Sequence, residues 1–472
     1  MNIQTDYLII GSGAVGLAFA DTILSETDAK VTIIDRRAEP GGHWNDAYSF
    51  VRLHQPSAFY GVNSVPLGDN SKDTNGLNKG LHSLASGPEV RDYFDDVMNQ
   101  HFLPSGRVEY FPMSDYKGDG RFVSLNSGAE TQVEVRKSVV DATFYGTTIP
   151  ATHTPDFEIV GGIRLVPPNN LPEILQSPSD APAQYAVLGA GKTGMDVCTY
   201  LLESGVEPDA ISWITPRDAW LMNRQQMQPG NEFFFETIGA IADQMEALAQ
   251  AATVEDLFDR LELSGQMMRL DQSVRPSMYH CATVSSGECE MLRQIRNVVR
   301  MGHVRAITPQ ALVLDKGRQP MAQDTLYVDC TASAIERRAS IPVFQDKLIT
   351  LQMIRTCQPT FSAAMIAHVE ASYDDDLTKN QYCGVVPVPD TVDGFLNVTL
   401  ASMMNQFQWS QNAELRKWIR QTRLDGFSVM IAAVRDDELD KQDVLNRIRL
   451  SMLPAISNMH TLMGQPSQVL VA

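Results

Sequence analysis

The stretch Tyr7-Leu-Ile-Ile-Gly11-Ser-Gly13-Ala-Val-Gly16 decides the fold of this chain. Its four apolar residues are typical of a buried strand, and they lead directly into a turn with three glycines. Residues 17–24 continue as a helical pattern, and residues 31–34 form a second apolar run that ends at Asp35, 19 residues after Gly16. This order of strand, glycine turn, helix, strand and acid predicts a dinucleotide-binding βαβ unit.

Each glycine of this turn has its own task. Gly11 allows the tight turn, Gly13 lets the backbone approach a pyrophosphate, and Gly16 permits close packing of the helix on the strand. The start of the helix offers free N–H groups and a positive dipole end to the phosphates. The acid accepts hydrogen bonds from the ribose hydroxyls. The predicted contacts of this first unit are Gly11, Gly13, Ala14, Val15, Gly16, Asp35 and Arg36.

The pattern returns about 178 residues later. Residues 185–188 predict a strand, Gly189-Ala-Gly191-Lys-Thr-Gly194 a second glycine turn, residues 195–202 a helix, and residues 211–214 the next strand. The place of the acid is taken by Thr215-Pro216-Arg217. Since an arginine there accommodates a 2′-phosphate, this second unit favours NADP over NAD. The predicted contacts are Gly189, Gly191, Lys192, Thr193, Gly194, Arg217 and, as a second phosphate candidate, Arg224.

Two dinucleotide units in one chain imply two dinucleotides. The usual division places a flavin in one unit and a nicotinamide in the other, so that hydride passes from NADPH to FAD. The acid of the first unit suits the ADP half of FAD. For Arg217 and Arg224 the alternative is an ordinary solvated surface position, because arginine is mostly exposed.

The residues after the first unit resemble the flavin-containing monooxygenase superfamily. Glu39-Pro-Gly41-Gly42-His43-Trp44 is similar to a Gly-Gly-x-Trp segment that follows the FAD-binding unit there. Ser49-Phe-Val-Arg52-Leu-His54-Gln55-Pro56 is similar to a segment that lies near the flavin. Val140-Asp-Ala-Thr143 and Val328-Asp-Cys-Thr331 resemble the short strand motifs of the superfamily. The resemblance covers roughly residues 1–335.

The resemblance implies that Gly41, Gly42, His43 and Trp44 line the flavin. It also implies that Arg52, His54 and Gln55 approach the ring edge, and these three are the candidates for catalytic residues, with Arg52 and Gln55 also binding the cofactor. The open alternatives are a core position for Trp44, a structural role for His54 and a surface ion pair for Arg52.

The reaction that the resemblance implies begins with reduction of FAD by NADPH. Oxygen then adds at flavin C4a, and the resulting peroxide transfers one oxygen atom to a small organic substrate. One departure weakens this assignment: the superfamily fingerprint Phe-x-Gly-x-x-x-His has its counterpart at Phe157–Pro168, where the histidine is missing. An FAD-dependent dehydrogenase or oxidase therefore stays open, as does a nucleotide-binding protein without catalysis.

The predicted fold class is α/β with two Rossmann-like domains. We expect an FAD-binding domain at 1–170, a breaker-rich hinge at 167–182, an NADP-binding domain at 180–335 and a C-terminal part at 336–472. The second domain contains a helical insertion at about 231–300, in which Thr253 caps a helix and residues 233–235 form core or a lid. In the C-terminal part, which should return to the FAD domain and complete the substrate cleft, a helix over about 358–371, capped by Thr360, should face the flavin.

Composition narrows the remaining function classes. The 472 residues carry 38 basic and 57 acidic side chains, a net charge of −19, which argues against binding nucleic acid or anionic lipid. The six cysteines include no Cys-x-x-Cys pair or metal-ligand spacing, so we expect reduced, buried thiols and no metal. With no signal peptide and no membrane-spanning run, we expect a cytoplasmic monomer or homodimer whose partners are a small substrate and molecular oxygen.

Overall fold

Residues 2–177 and 182–464 are described by a computed structural model, so residues 178–181 of the expected hinge lie outside the description. The strands are β1 (Asn2–Ile10), β2 (Val31–Ile34), β3 (Val108–Phe111), β4 (Ser114–Gly118), β5 (Arg121–Ser124), β6 (Glu130–Asp141), β7 (Glu158–Ile159), β8 (Leu165–Val166), β9 (Gln184–Leu188), β10 (Ile211–Ile214), β11 (Ala219–Asn223), β12 (Met267–Met268), β13 (Met278–Val284), β14 (Asn297–Val299), β15 (Val304–Thr308), β16 (Ala311–Leu314), β17 (Gly317–Pro320), β18 (Thr325–Asp329), β19 (Phe344–Gln345) and β20 (Leu348–Thr350). The helices are α1 (Ala14–Glu26), α2 (Gly87–Asp96), α3 (Leu171–Gln176), α4 (Lys192–Glu203), α5 (Phe234–Gln250), α6 (Val254–Leu263), α7 (Ser286–Leu292), α8 (Pro359–Ser372), α9 (Asp376–Tyr382), α10 (Val392–Gln411), α11 (Ala413–Gln421), α12 (Phe427–Ala432) and α13 (Leu439–Leu462).

The first sheet contains the predicted βαβ unit. Its parallel strands lie in the order β20-β6-β1-β2-β3, and β19 adds antiparallel to β20. Leu8 and Ile9 of β1 point to opposite faces and are both fully buried, as expected of a parallel sheet covered on both sides. Helix α1 follows the first glycine turn and packs on α8. The α/β class and the strand, turn, helix, strand order are confirmed.

The second sheet repeats the first one strand for strand. Its parallel order is β14-β10-β9-β18-β8, in which β9 and β10 take the places of β1 and β2. The repeat extends to a small antiparallel sheet beside each parallel one, formed by β4 and β5 in the first case and by β15 to β17 in the second. The internal duplication is therefore larger than the two glycine turns that revealed it.

The C-terminal part packs against two different regions of the molecule. Strand β20 and helix α8 add to the first sheet and to α1, so the chain does return to the first unit. Helix α13 instead packs along α5 of the insertion, where Ile456 and Met459 share a buried cluster with Leu248 and with Phe395 of α10. The insertion and the last helices thus form one helical layer beside the second sheet.

Local predictions were partly right. Thr253 caps α6 by accepting from the Asp256 N–H at 3.1 Å, as predicted. Thr360 does not cap α8: the helix begins one residue earlier, at Pro359, and the Thr360 hydroxyl donates to the Phe59 carbonyl at 3.2 Å. Of the Phe233–Phe235 run, Phe234 is core and Phe235 is exposed.

The expectation of six reduced cysteines is wrong for one pair. Cys281 of β13 and Cys357, just before α8, are joined by a disulfide across 76 residues of sequence. Folding brings the inserted strand against the start of α8, a contact that sequence spacing cannot reveal. Cys198, Cys289, Cys330 and Cys383 are free and buried, as expected.

Candidate dinucleotide-binding cavity

A cavity of about 2330 Å³ lies at the carboxyl ends of both parallel sheets. This is the edge at which open α/β sheets bind their ligands, because the glycine turns and helix N-termini are found there. Of the predicted site residues, those that line the cavity are Gly11, Gly13, Ala14, Val15, Asp35, Arg36, Gly42, His43, Trp44, Arg52, His54, Gln55, Gly191, Lys192, Thr193 and Arg217. The others, Gly16, Gly41, Gly189, Gly194 and Arg224, are not among the residues that line it.

The first glycine turn has no room for side chains. A Cβ atom at Gly16 would lie 2.2 Å from the Gly11 carbonyl oxygen, so only glycine permits this contact of helix and strand. Gly11 has a φ of +101°, which side-chain-bearing residues rarely adopt. A Cβ atom at Gly42 would lie 3.0 Å from the Gly13 Cα atom. The two glycine segments therefore meet and leave bare backbone beside the cavity.

Asp35 is held in place by its own chain. One carboxylate oxygen accepts from the Ser12 N–H at 2.6 Å and from the Ser12 hydroxyl at 2.9 Å, and the other accepts from the Arg37 N–H at 2.7 Å. A carboxylate has about four acceptor positions, so about one is left for a ribose hydroxyl. Arg36 forms an ion pair with Asp115 at 2.6 Å at the rim of the cavity.

The second turn has the same geometry with different neighbours. A Cβ atom at Gly194 would lie 2.3 Å from the Gly189 carbonyl oxygen, the same contact as in the first turn. Thr215 occupies the position of the acid and is buried, whereas Arg217 is exposed on the cavity wall. Arg217 therefore contributes an exposed positive charge to the cavity wall at this end.

Arg224 is not available to a nucleotide, contrary to the prediction. Its side chain is completely buried, and its guanidinium donates to the carbonyls of His54 at 2.7 Å and Thr283 at 3.2 Å. It also forms an ion pair with Glu288 at 2.7 Å. A guanidinium that is completely buried and bonded inside the protein is out of reach of a 2′-phosphate. Arg224 instead links the segment that contains His54 to the second domain through hydrogen bonds.

Lys192, the first residue of α4, belongs to a charged cluster behind the second turn. Its ammonium group forms ion pairs with Asp196 and, at 3.8 Å, with Glu288. Burial, together with the charges of Lys192 and Arg224, holds the pKa of His54 well below its usual range. The His54 side chain is therefore neutral at neutral pH.

Trp44 is both core and cavity wall. It is 8% exposed, and its indole N–H donates to the Tyr60 hydroxyl at 2.8 Å. His43 stacks on it with ring centroids 5.5 Å apart. Burial, with a further contribution from Arg37, lowers the pKa of His43 to about 4. The site thus has a fixed flat wall with an uncharged imidazole beside it.

The segment after Trp44 brings the three candidate catalytic residues to the same wall. Arg52 is exposed and donates to the Leu84 carbonyl at 3.0 Å. His54 and Gln55 are half-buried, and the hydrogen bond from Arg224 to the His54 carbonyl fixes the backbone between them. All three line the cavity, and His54 lies close enough to the second turn for the charge of Lys192 to lower its pKa.

The N-terminus of α8 completes the wall opposite the first turn. Its N-cap, Gln358, is 7% exposed, and its side-chain carbonyl oxygen is buried without a hydrogen-bond partner among the described residues. Pro359 follows at the first helical position and also lines the cavity. An orphaned acceptor next to a positive helix end suits a polar ring that carries both N–H and carbonyl groups.

Several site residues escaped the sequence prediction. The Tyr48 hydroxyl donates to Asp196 at 2.8 Å and ties the first domain to α4. Burial and the Asp196 charge raise the pKa of Tyr48. The spacing of Lys192 and Asp196, one helical turn apart, was the available signal for an ion pair at this turn. The Tyr48 contact joins residues 148 positions apart, so no local pattern contains it.

The segment that departs from the superfamily fingerprint lies away from the cavity. Its strands β7 and β8 are at the edges of two sheets, and none of residues 157–168 is among those that line the cavity. Within the described residues, no group of His, Cys, Asp and Glu side chains is arranged to hold a metal ion. In residues 2–177 and 182–464, none of the helices is long and apolar enough to cross a membrane.

Comparison with known proteins gives a domain and a set of relatives. The family profile of an NAD(P)-binding Rossmann-like domain matches residues 9–97, which confirms the dinucleotide unit at the first turn. Uncharacterized proteins of Mycobacterium tuberculosis and Mycobacterium bovis are 48% identical to this chain over 426 residues, which is 90% of this chain and 78% of each relative.

Solved structures that align with this chain include two monooxygenases and a disulfide reductase. A flavin-containing monooxygenase from Stenotrophomonas maltophilia aligns over 81% of this chain and 100% of its own, with 14% identity and a TM-score of 0.46. A cyclohexanone monooxygenase from Rhodococcus sp., bound to NADP+, aligns over 79% and 84%, with 12% identity and a TM-score of 0.45. A bacillithiol disulfide reductase from Bacillus cereus aligns over 79% and 100%, with 12% identity and a TM-score of 0.45.

Proposed function

Since the chain belongs to the same family as these mycobacterial proteins, whose activity their names leave open, we propose its function from its own cavity: an FAD-dependent oxidoreductase that uses NADPH. The observation that carries the proposal is that both glycine turns open into one cavity. Two dinucleotides held at the two turns would therefore share this cavity, and together they would supply hydride transfer from the nicotinamide to the flavin.

FAD is assigned to the first turn and NADP to the second. At the first turn, Asp35 keeps about one acceptor position for a ribose hydroxyl, and the bare backbone of Gly13 and Gly42 fits a pyrophosphate. The flat face of Trp44 and the orphaned acceptor of Gln358 suit the flavin ring and its N–H group. At the second turn, Arg217 is the exposed cation that distinguishes NADP from NAD.

The finer proposal is a monooxygenase that inserts one oxygen atom from O2 into a small organic substrate. FAD, when bound, supplies hydride acceptance and the activation of oxygen. The chain supplies a water-poor wall of buried aromatic rings, the positive end of α8 for negative charge on the ring, and the neutral imidazole of His54. A neutral His54 can donate one hydrogen bond and accept another without placing a second positive charge beside Lys192.

The test is oxygen incorporation. The purified holoenzyme is supplied with NADPH and 18O2, and with a ketone, an amine and a sulfide as three probe substrates. The proposal expects NADPH oxidation that a probe accelerates, with one 18O atom in the product. Flavin reduction by a probe in the absence of NADPH would instead identify a dehydrogenase or oxidase. A preparation that binds no flavin would leave only a nucleotide-binding protein.

A further inference from the structure

The disulfide between Cys281 and Cys357 lies in the wall of the same cavity. Both residues are half-buried and both line it, next to the N-terminus of α8. Cys357 directly precedes Gln358, the N-cap of that helix. A helix N-terminus favours negative charge beside it, so a thiolate at Cys357 is stabilised when the bond is broken.

The backbone at both cysteines is unusual. Cys281 has a φ of +56° and Cys357 a φ of +57°, both in the left-handed region that non-glycine residues rarely adopt. Such conformations cost free energy and concentrate at functional sites. Two of them face each other across a single bond, whose Cα atoms are 6.3 Å apart and within the normal range for a disulfide.

The other four cysteines are free and more deeply buried. Cys198, Cys289 and Cys383 are almost fully buried and lie outside the cavity wall. Cys330 borders the cavity but is 5% exposed, and burial holds its pKa well above the usual range. Inert buried thiols of this kind contrast with a bonded pair that is open to the cavity.

We propose that the Cys281–Cys357 disulfide is redox-active and accepts an electron pair from the reduced flavin. This inference rests on the proposed binding of FAD. The flavin hydride form supplies two electrons and one proton, a second proton comes from solvent, the S–S bond breaks, and two thiols and oxidised flavin result. The bond joins β13 of the second domain to the segment just before α8, a helix that packs on the first domain. Its reduction therefore also breaks a covalent link across the cavity.

The test counts reducing equivalents. The air-purified holoenzyme is titrated anaerobically with NADPH, and free thiols are alkylated and located by mass spectrometry before and after. The wild type should consume two NADPH per flavin before the flavin stays bleached, and Cys281 and Cys357 should become alkylated only afterwards. Cys281→Ser and Cys357→Ser should each consume one, while the control Cys383→Ala should still consume two.

Each other outcome has a definite meaning. If the wild type consumes one NADPH per flavin and the peptides that contain Cys281 and Cys357 stay linked, the inference is overturned and the proposed function stands. The same holds if both cysteines are already free thiols before any NADPH is added. If NADPH fails to bleach the flavin but dithionite delivers four electrons per flavin, the NADPH assignment fails and the redox pair stands. Flavin content and circular dichroism of both serine variants exclude misfolding, and absence of flavin in the wild type contradicts both proposals.

Discussion

The two dinucleotide units share a backbone and differ in charge. Both place a glycine turn between a buried strand and a helix, and both end the neighbouring strand in an Asp-x-Thr turn. In the first unit the Thr143 N–H donates to Asp141 at 2.8 Å, and in the second the Thr331 N–H donates to Asp329 at 2.9 Å. The units differ at the end of the strand that follows the first helix. There the first unit has Asp35, which hydrogen bonds hold in place, and the second has the buried Thr215 and, two residues later, the exposed Arg217.

Different residues therefore set the backbone of the glycine turn and the preference for a nucleotide. The contact that excludes a side chain at the third glycine is common to both copies, at 2.2 Å for Gly16 and 2.3 Å for Gly194, because the helix must pack closely on the strand in both. In the proposed assignment, the choice of dinucleotide depends on the end of the second strand of each unit, which carries Asp35 in the first unit and Thr215 and Arg217 in the second. Changes in the shared parts should therefore have large and parallel effects, and changes at the differing positions should affect one nucleotide only.

The largest effect is expected from the glycines that contact the preceding turn. Gly16→Ala should abolish bound flavin, because its Cβ would lie 2.2 Å from a carbonyl oxygen. Gly194→Ala should keep the flavin but abolish its reduction by NADPH, for the same steric reason at 2.3 Å. Flavin absorbance and anaerobic bleaching measure the two outcomes.

Gly191→Ala is the matched control for packing, since no protein atom lies within 4 Å of its Cβ position. It should leave stability and flavin content unchanged and weaken NADPH alone, by blocking the approach of the pyrophosphate. Loss of flavin in Gly194→Ala with retention in Gly16→Ala would reverse the assignment of the two units.

Arg217→Ala should raise the KM for NADPH about 10- to 100-fold and leave the KM for NADH nearly unchanged. An arginine–phosphate pair contributes about 1.5–3 kcal/mol, which is of this size. Steady-state kinetics with both nucleotides measures the ratio. Arg318→Ala, on the exposed strand β17, is the control and should change neither constant. Equal losses with NADPH and NADH would remove the 2′-phosphate role.

Acid should destabilise the first unit through His43. Its pKa is about 4 in the folded chain and near 6.5 when unfolded, so between these values the unfolded chain binds the proton. The stabilisation is complete above pH 6.5 and is lost as the pH falls to 4. Because the side chain is partly exposed, we expect about 1–2 kcal/mol.

The measurement for His43 is urea unfolding at pH 7.5 and pH 5 in the wild type and in His43→Gln. His54 contributes in the same direction, so the difference between the two proteins isolates His43. A variant that loses as much stability in acid as the wild type would show that the buried imidazole is not the cause.

The smallest effect is expected from the two strand-end threonines. Thr143→Ala and Thr331→Ala each remove one hydroxyl bond to an aspartate, of 2.7 Å and 2.6 Å, and leave the backbone bond in place. Both should lose about 0.5–1 kcal/mol in urea unfolding, because both side chains are exposed. A clearly larger loss in one of them would mean that the two turns are not equivalent.

Local sequence patterns were enough for the scaffold. Glycine spacing and apolar runs predict the two βαβ units, since a phosphate-binding turn leaves few other choices at Gly11 or Gly189. They could not predict that Arg224 is buried, because its partners His54 and Thr283, whose carbonyls bind the guanidinium, are distant in sequence. The Cys281–Cys357 bond was missed for the same reason. What sequence missed depends on how the two units face each other, which only the folded chain determines.

The most direct test of the account is rapid anaerobic mixing of the purified protein with NADPH and, separately, with NADH, followed at the visible flavin bands. The account predicts a yellow protein with tightly bound FAD that NADPH bleaches completely and NADH bleaches far more slowly at equal concentration. A protein that binds FAD but is not bleached by NADPH, or one that binds no flavin, would contradict the assignment of two cooperating dinucleotides to one cavity.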